Sequence, residues 1–199
     1  MYGYHLVRAL TEIDRENTYF LYVNKPVSLD FPLPQNFFIR PAQLPLPQFQ
    51  LWFHFGLPLT FRRDKLDVFH GTNFLIPPMP GCRTVSTIHD LSSIVMPGQH
   101  KFFHRLSHSL FLRASMKRAD MLIGDSVATK DEILRIFPQF RHKTEAVLIA
   151  AGPEFVENSD EALLERIRNK YSLPDRFFLY VGTLEPRKNI SGLLSAFNK

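Results

Sequence analysis

The chain has 199 residues, of which 45% are hydrophobic and 22% charged, with a single cysteine and a formal net charge of +5. That composition belongs to a globular protein and excludes a disordered one, and Cys82 alone excludes an intramolecular disulfide framework and suits a reducing compartment. No apolar run approaches the roughly 18 residues of a membrane-spanning helix, and the opening MYGYHLVRALTEIDRE lacks the apolar centre of a signal peptide, so a cytoplasmic protein is expected.

The apolar spacing predicts helices and strands in alternation. His5 to Ile13 places Leu6, Val7, Leu10 and Ile13 on one side of a helix. TYFLYV (Thr18 to Val23) and NFFIR (Asn36 to Arg40) read as strands. Prolines between Pro26 and Pro58 break the chain into loops and short elements, with a helix around Trp52 from Phe49 to Leu59. DVFHG (Asp67 to Gly71) and RTVSTIHD (Arg83 to Asp90) are strand-like, and His100 to Arg118 is a long helix. ADMLIGDS (Ala119 to Ser126) reads as a strand and a helix start capped by Asp125 or Ser126. Beyond it come AVLIAAG as a strand, Glu161 to Lys170 as a helix, RFFLYVG (Arg176 to Gly182) as a strand, and a helix from Asn189 to Phe197. Strands that are apolar throughout point to parallel sheets covered on both faces, a doubly wound α/β architecture. The polar stretch after Gly152 suggests a division into domains at 1–151 and 152–199.

Charge is placed unevenly. No acidic residue lies between Leu91 and Arg118, a span holding Lys101, Arg105, Arg113, Lys117 and Arg118. Lys101, Arg105, Arg113 and Lys117 recur at multiples of four, which draws them into a ridge on a helix. With Phe102, Phe103, Leu106 and Leu110 beside it, the ridge reads either as a membrane-docking face or as a solvated surface. No nucleic-acid module accompanies it, so nucleic acid is not an expected partner.

Phosphate loops of the G-x-x-x-x-G-K-[ST] type, G-x-G-x-x-G, G-x-S-x-G, H-E-x-x-H and D-x-D are all absent, and His54, His70 and His89 are too scattered for a metal site. The richest segment is FLYVGTLEPRKNI. Its strand is expected to end at Gly182, followed by Thr183, Glu185, the cations Arg187 and Lys188, and a helix beginning near Asn189. A helix N-terminus at the carboxyl edge of a sheet offers free N–H groups, and two cations there suit a diphosphate. The same pattern also fits a turn with two surface cations. In TIHDL, His89 leaves a strand end where it can bond a ligand hydroxyl, with Asp90 placed to orient it. His70 and Gly71 repeat that layout in DVFHG; alternatively both pairs are structural.

Taken in order, DVFHG, VSTIHDLS, RADMLIGDSVATKDEI and YSLPDRFFLYVGTLEPRKNISGLLSAF resemble the family 4 glycosyltransferases, and EPRKN is most similar to bacterial mannosyltransferase-type members that build O-antigens and exopolysaccharides. The resemblance implies a two-domain GT-B fold, a retaining transfer from a nucleotide sugar to a glycan or lipid-linked acceptor, and no metal cofactor. It implies that Lys188 contacts the donor diphosphate, with Arg187 beside it. His89 would face the donor sugar, and Gly3 would be a remnant of the loop before the first helix. His70, Gly71, Asp90, Gly182, Thr183, Glu185 and Asn189 would line the site. Thr183 stands where many members carry arginine. The family's first strand and its distal E-x7-E motif are missing from these residues, so a fragment, or half of a split enzyme with a complementary chain, is expected. A non-catalytic half that binds acceptor or docks on the inner face of a membrane is the alternative.

Overall fold

A computed structural model describes residues 2–24, 26–41, 52–95, 102–152, 155–157 and 160–198. The chain divides into two compact units, Met1–Ile149 and Ala150–Lys199.

The first unit opens with α1 (Tyr2–Ile13), followed by β1 (Tyr19–Val23) and β2 (Phe37–Pro41). These two strands pair in parallel, with Tyr19 opposite Phe37 and Phe20 opposite Phe38. Both aromatic pairs stack across the ladder, at 4.4 and 5.6 Å between centroids, as half-buried cross-strand aromatics favour. A π-helical turn (Trp52–Gly56) then runs into α2 (Leu57–Arg63). Proline at 58 fits the first turn, where a missing N–H costs nothing.

A second, four-stranded parallel sheet follows in the order β3 (Val68–Gly71), β4 (Arg83–Ile88), β5 (Met121–Gly124), β6 (Thr144–Ala146). Its crossovers include α3 (Ser92–Val95) and α4 (Phe102–Arg118) between β4 and β5, and α5 (Val127–Ile136) after β5. Successive residues of a strand face opposite ways, so Thr87 meets Tyr2 of α1 while Ile88 lies on the other face. There Ile88 and Leu122 join Leu112 and Met116 of α4 and Ile133 and Phe137 around α5 in one core. A smaller core of Phe53, Leu57 and Phe61 takes in Tyr22 of β1 and Phe69 of β3, so α2 touches both sheets. The α/β class with parallel sheets is therefore as the sequence implies.

Thr84, buried in β4, has its polar partner in Asp120, as burial requires. Asp120 accepts from the Thr84 N–H (2.8 Å), the Thr84 hydroxyl and Arg83, which holds its carboxyl below the usual carboxylate range. Lys143 donates to the carbonyls of Met116, Lys117 and Ala119 at the end of α4, the end at which a cation is favoured.

In the second unit, α6 (Glu161–Tyr171) is capped by the Asp160 carboxylate at the Leu163 N–H (3.1 Å), and α7 spans Ile190–Phe197. The sequence reading makes RFFLYVG a buried strand, and the structure does not. Residues 177–181 are irregular, and Phe178, Leu179 and Val181 are strongly exposed. A strand exists only by pairing, and no described residue of this unit offers a ladder. AVLIAAG is likewise shorter than its apolar run. Regular pairing ends at Ala146, although the Val147 N–H still reaches the Gly124 carbonyl (3.0 Å).

Candidate functional site

Within the first unit, the carboxyl ends of β3, β4 and β5 bring one polar cluster together. Such ends are where open α/β sheets bind ligands, because the strand-to-helix turns there leave polar groups clear of the ladder. His70, next to last in β3, directs Nε2 to the Thr87 hydroxyl at 2.8 Å. Burial pushes the His70 imidazole down from its ordinary value of 6.5, favouring the neutral ring. The Tyr2 hydroxyl lies 3.4 Å from the same Thr87 oxygen, and its ring meets His89 edge-on at 5.0 Å. Glycine is required for space at position 71, while the packing at Gly3 is close. A Cβ at Gly71 would run into the Leu75 carbonyl, and one at Gly3 would press to 3.3 Å from the Thr72 hydroxyl.

His89 follows β4 and is held from both sides. Nδ1 lies 3.1 Å from Asp125 Oδ2, and Nε2 lies 2.9 Å from the Thr72 carbonyl. Asp125 follows β5. Its Oδ1 accepts the Thr129 hydroxyl at 2.9 Å, while Ser126 caps α5 at the Thr129 N–H (3.1 Å). The sequence leaves Asp125 and Ser126 as alternative caps; the structure gives the cap to Ser126 and turns Asp125 towards His89. Asp90, the neighbour that the sequence offers as the orienting carboxylate, instead accepts the Ser92 N–H and hydroxyl at 2.9 and 2.6 Å. Tyr2, Thr72, Thr87 and Asp125 are members of the cluster that sequence reasoning did not single out.

The remaining candidates lie in the second unit. Pro186–Lys188 form a 3-10 turn, and Asn189 (φ 49°) adopts a left-handed conformation ahead of α7, one that asparagine tolerates. The Thr183 hydroxyl donates to Glu185 Oε1 at 2.8 Å, and Tyr180 donates to the Thr183 carbonyl at 3.1 Å. A Cβ on Gly182 would come 2.8 Å from the Tyr180 hydroxyl. Lys188 is exposed, and the side chain of Arg187 lies outside the described residues.

Of the basic ridge, Lys101 and the side chain of Arg105 also lie outside the described residues. Lys117 is exposed, and Arg113 sets its guanidinium over the Phe137 ring at 5.0 Å. Leu110 and Phe111 are exposed beside them. Among the described residues no group of three His, Cys, Asp or Glu is placed to hold a metal, and no helix is long and apolar enough to cross a membrane.

A unit of parallel strands with crossover helices is a Rossmann-like α/β domain. The chain matches the family described as Glycosyltransferase Family 4 over residues 2–147, and it belongs to that family. It is 32% identical over 137 residues to the O-antigen chain mannosyltransferase B of Escherichia coli, covering 68% of this chain and 35% of that protein. To a serotype-specific mannosyltransferase, WbdA, also of Escherichia coli, it is 30% identical over 122 residues, covering 58% of this chain and 14% of the relative. The chain thus spans about a third of the first relative's length and less of the second's.

Proposed function

We propose that the chain carries the acceptor-side domain, and the start of the donor domain, of a retaining glycosyltransferase that moves a sugar from a nucleotide sugar to a glycan or lipid-linked acceptor in cell-surface polysaccharide synthesis. Mannose is the proposed sugar, because both relatives are named mannosyltransferases. The observation that carries the reading is the cluster of Tyr2, His70, Thr87, His89 and Asp125, on strand ends that lie within the span matching the family.

In this reading His89 and its neighbours bind sugar hydroxyls, which both donate and accept hydrogen bonds. Lys188 and Arg187, next to the start of α7, stabilise the charge that develops on the departing diphosphate. Gly182, Thr183, Glu185 and Asn189 shape that turn, and no metal ion takes part. The test is sugar transfer from a panel of nucleotide sugars. In a full-length context, Lys188→Ala is expected to lower turnover by about 10²–10³, the cost of removing one preorganised donor from developing charge, with the thermal melt unchanged. A loss smaller than about threefold sinks the diphosphate role.

A second reading, docking of the first unit on the cytoplasmic face of an anionic membrane, draws on α4. There the exposed Leu110 and Phe111 adjoin Lys117 and Arg113. A lipid-linked acceptor would give such docking a purpose.

A further inference from the structure

His89 is the only side chain of the cluster with both of its polar atoms placed against oxygens that can only accept. Asp125 Oδ2 is at 3.1 Å from Nδ1 and the Thr72 carbonyl at 2.9 Å from Nε2. A carboxylate has no proton to give, so the Asp125 contact is a hydrogen bond only when Nδ1 carries the hydrogen. Asp125 is itself fixed. Its other oxygen takes the Thr129 hydroxyl at 2.9 Å, from the first turn of α5, and its backbone N–H reaches the Ile88 carbonyl at 3.4 Å. The carboxylate is therefore aimed by two elements, β4 and α5, before any ligand arrives.

Resting on the sugar-transfer reading above, the geometry points to Asp125 as a positioning residue that sets the tautomer and tilt of His89, whose other nitrogen lies against the Thr72 carbonyl. With Nδ1–H committed to Asp125 and Nε2 2.9 Å from the Thr72 carbonyl, both ring nitrogens are engaged within the protein, which fixes the plane of the ring and the edge it presents. The groups facing His89 are the Tyr2 ring, the Asp125 carboxylate and the Thr72 carbonyl, with His70 across the Tyr2 ring at 6.4 Å.

Side-chain ¹⁵N NMR of the histidine-labelled chain tests the positioning without any turnover. In the wild type, Nδ1 of His89 should carry a proton. In Asp125→Ala the neutral ring should revert to the Nε2–H tautomer, while Asp125→Asn, whose carboxamide oxygen still accepts, should keep Nδ1–H. An unchanged His70 signal, held by Thr87, reports an intact fold in each variant. Transfer kinetics test whether that orientation serves the reaction. Asp125→Ala should lower kcat by about tenfold to a hundredfold, as expected when a reacting group is misaligned, with a smaller change in KM, and Asp125→Asn should recover most of it. A wild-type ring lacking the Nδ1 proton, a tautomer unchanged in Asp125→Ala, or equal kinetic losses in the alanine and asparagine variants would overturn the assignment. Absence of transfer by the wild-type protein would instead overturn the sugar-transfer reading and leave the tautomer result standing.

Discussion

The two units hold their candidate residues on different supports. In the first unit, His70 and His89 sit at the ends of strands whose ladders are paired in register and whose inner faces pack Ile88 and Leu122 against α4. Each imidazole has hydrogen-bond partners inside the protein. In the second unit, the residues around Lys188 hang on turns and on α7, and the apolar run before them lies in solvent. Preorganisation costs nothing at the moment of binding only where a packed core holds the groups beforehand. The proposed function accordingly asks shape recognition of the first unit and electrostatics, which tolerates looser placement, of the second.

A matched pair of phenylalanine truncations gives the largest contrast. Phe61 is 1% exposed and packs between the two sheets, 5.1 Å from the Tyr22 ring and 4.5 Å from Phe69. Phe61→Ala should destabilise the first unit by about 3–5 kcal/mol, the usual cost of a cavity that size. Phe178, 83% exposed, touches the Phe197 ring edge-on at 5.5 Å. Phe178→Ala should change stability by about 0.5 kcal/mol or less. Chemical denaturation of both variants checks this, and a comparable loss at Phe178 would show that the second unit has a packed core after all.

The membrane reading predicts a smaller effect, and it applies to the ordered unit. Each cation near an anionic surface contributes about 1 kcal/mol, and Arg113 is already stacked on Phe137. Binding to anionic vesicles should therefore weaken with salt and fall more in Lys117→Gln than in Arg113→Gln. Co-sedimentation with neutral vesicles at equal strength would leave only a solvated helix face.

Much of the first unit was legible in the sequence. DVFHG, RTVSTI and MLIG read as strands because they are short runs rich in β-branched and apolar residues, and the helix after MLIG carries a cap in Ser126. RFFLYVG carries the same signal without forming a strand, since composition records the wish to be buried and not the presence of a partner. The reach of Asp125 to His89 was illegible for another reason. The two residues are 36 apart in the chain, and Asp90, adjacent to His89, satisfied the same chemical argument at no distance at all. Only the register of β4 against β5, which pairs Ile88 with Gly124, brings the residues after them side by side. His70 and Gly71 were found because a strand-end position is visible in the pattern; Tyr2 and Thr72 were missed because nothing in the sequence says that α1 returns over that edge.

The smallest predicted effect concerns pH and again separates the units. Burial holds His70 below its ordinary value of 6.5, so the folded protein binds this proton less readily than the unfolded chain does. Where the unfolded state holds more protons, stability rises with pH. The contribution of a neutral His70 is therefore complete above the ordinary histidine value. It is lost progressively as pH falls from there towards the lowered value of the folded state. Protonation would charge a group half enclosed beside the Thr87 hydroxyl and the Tyr2 ring. The first unit should accordingly lose thermal stability on mild acidification, while α6 and α7, which contain no histidine, should respond less in the same window. His70→Gln keeps a polar group within reach of Thr87 and removes the titration, so its melting temperature should depend less on pH between the two values. Equal acid sensitivity in the variant and the wild type would move the effect to another group and would mean that His70 is more hydrated at its strand end than its burial indicates.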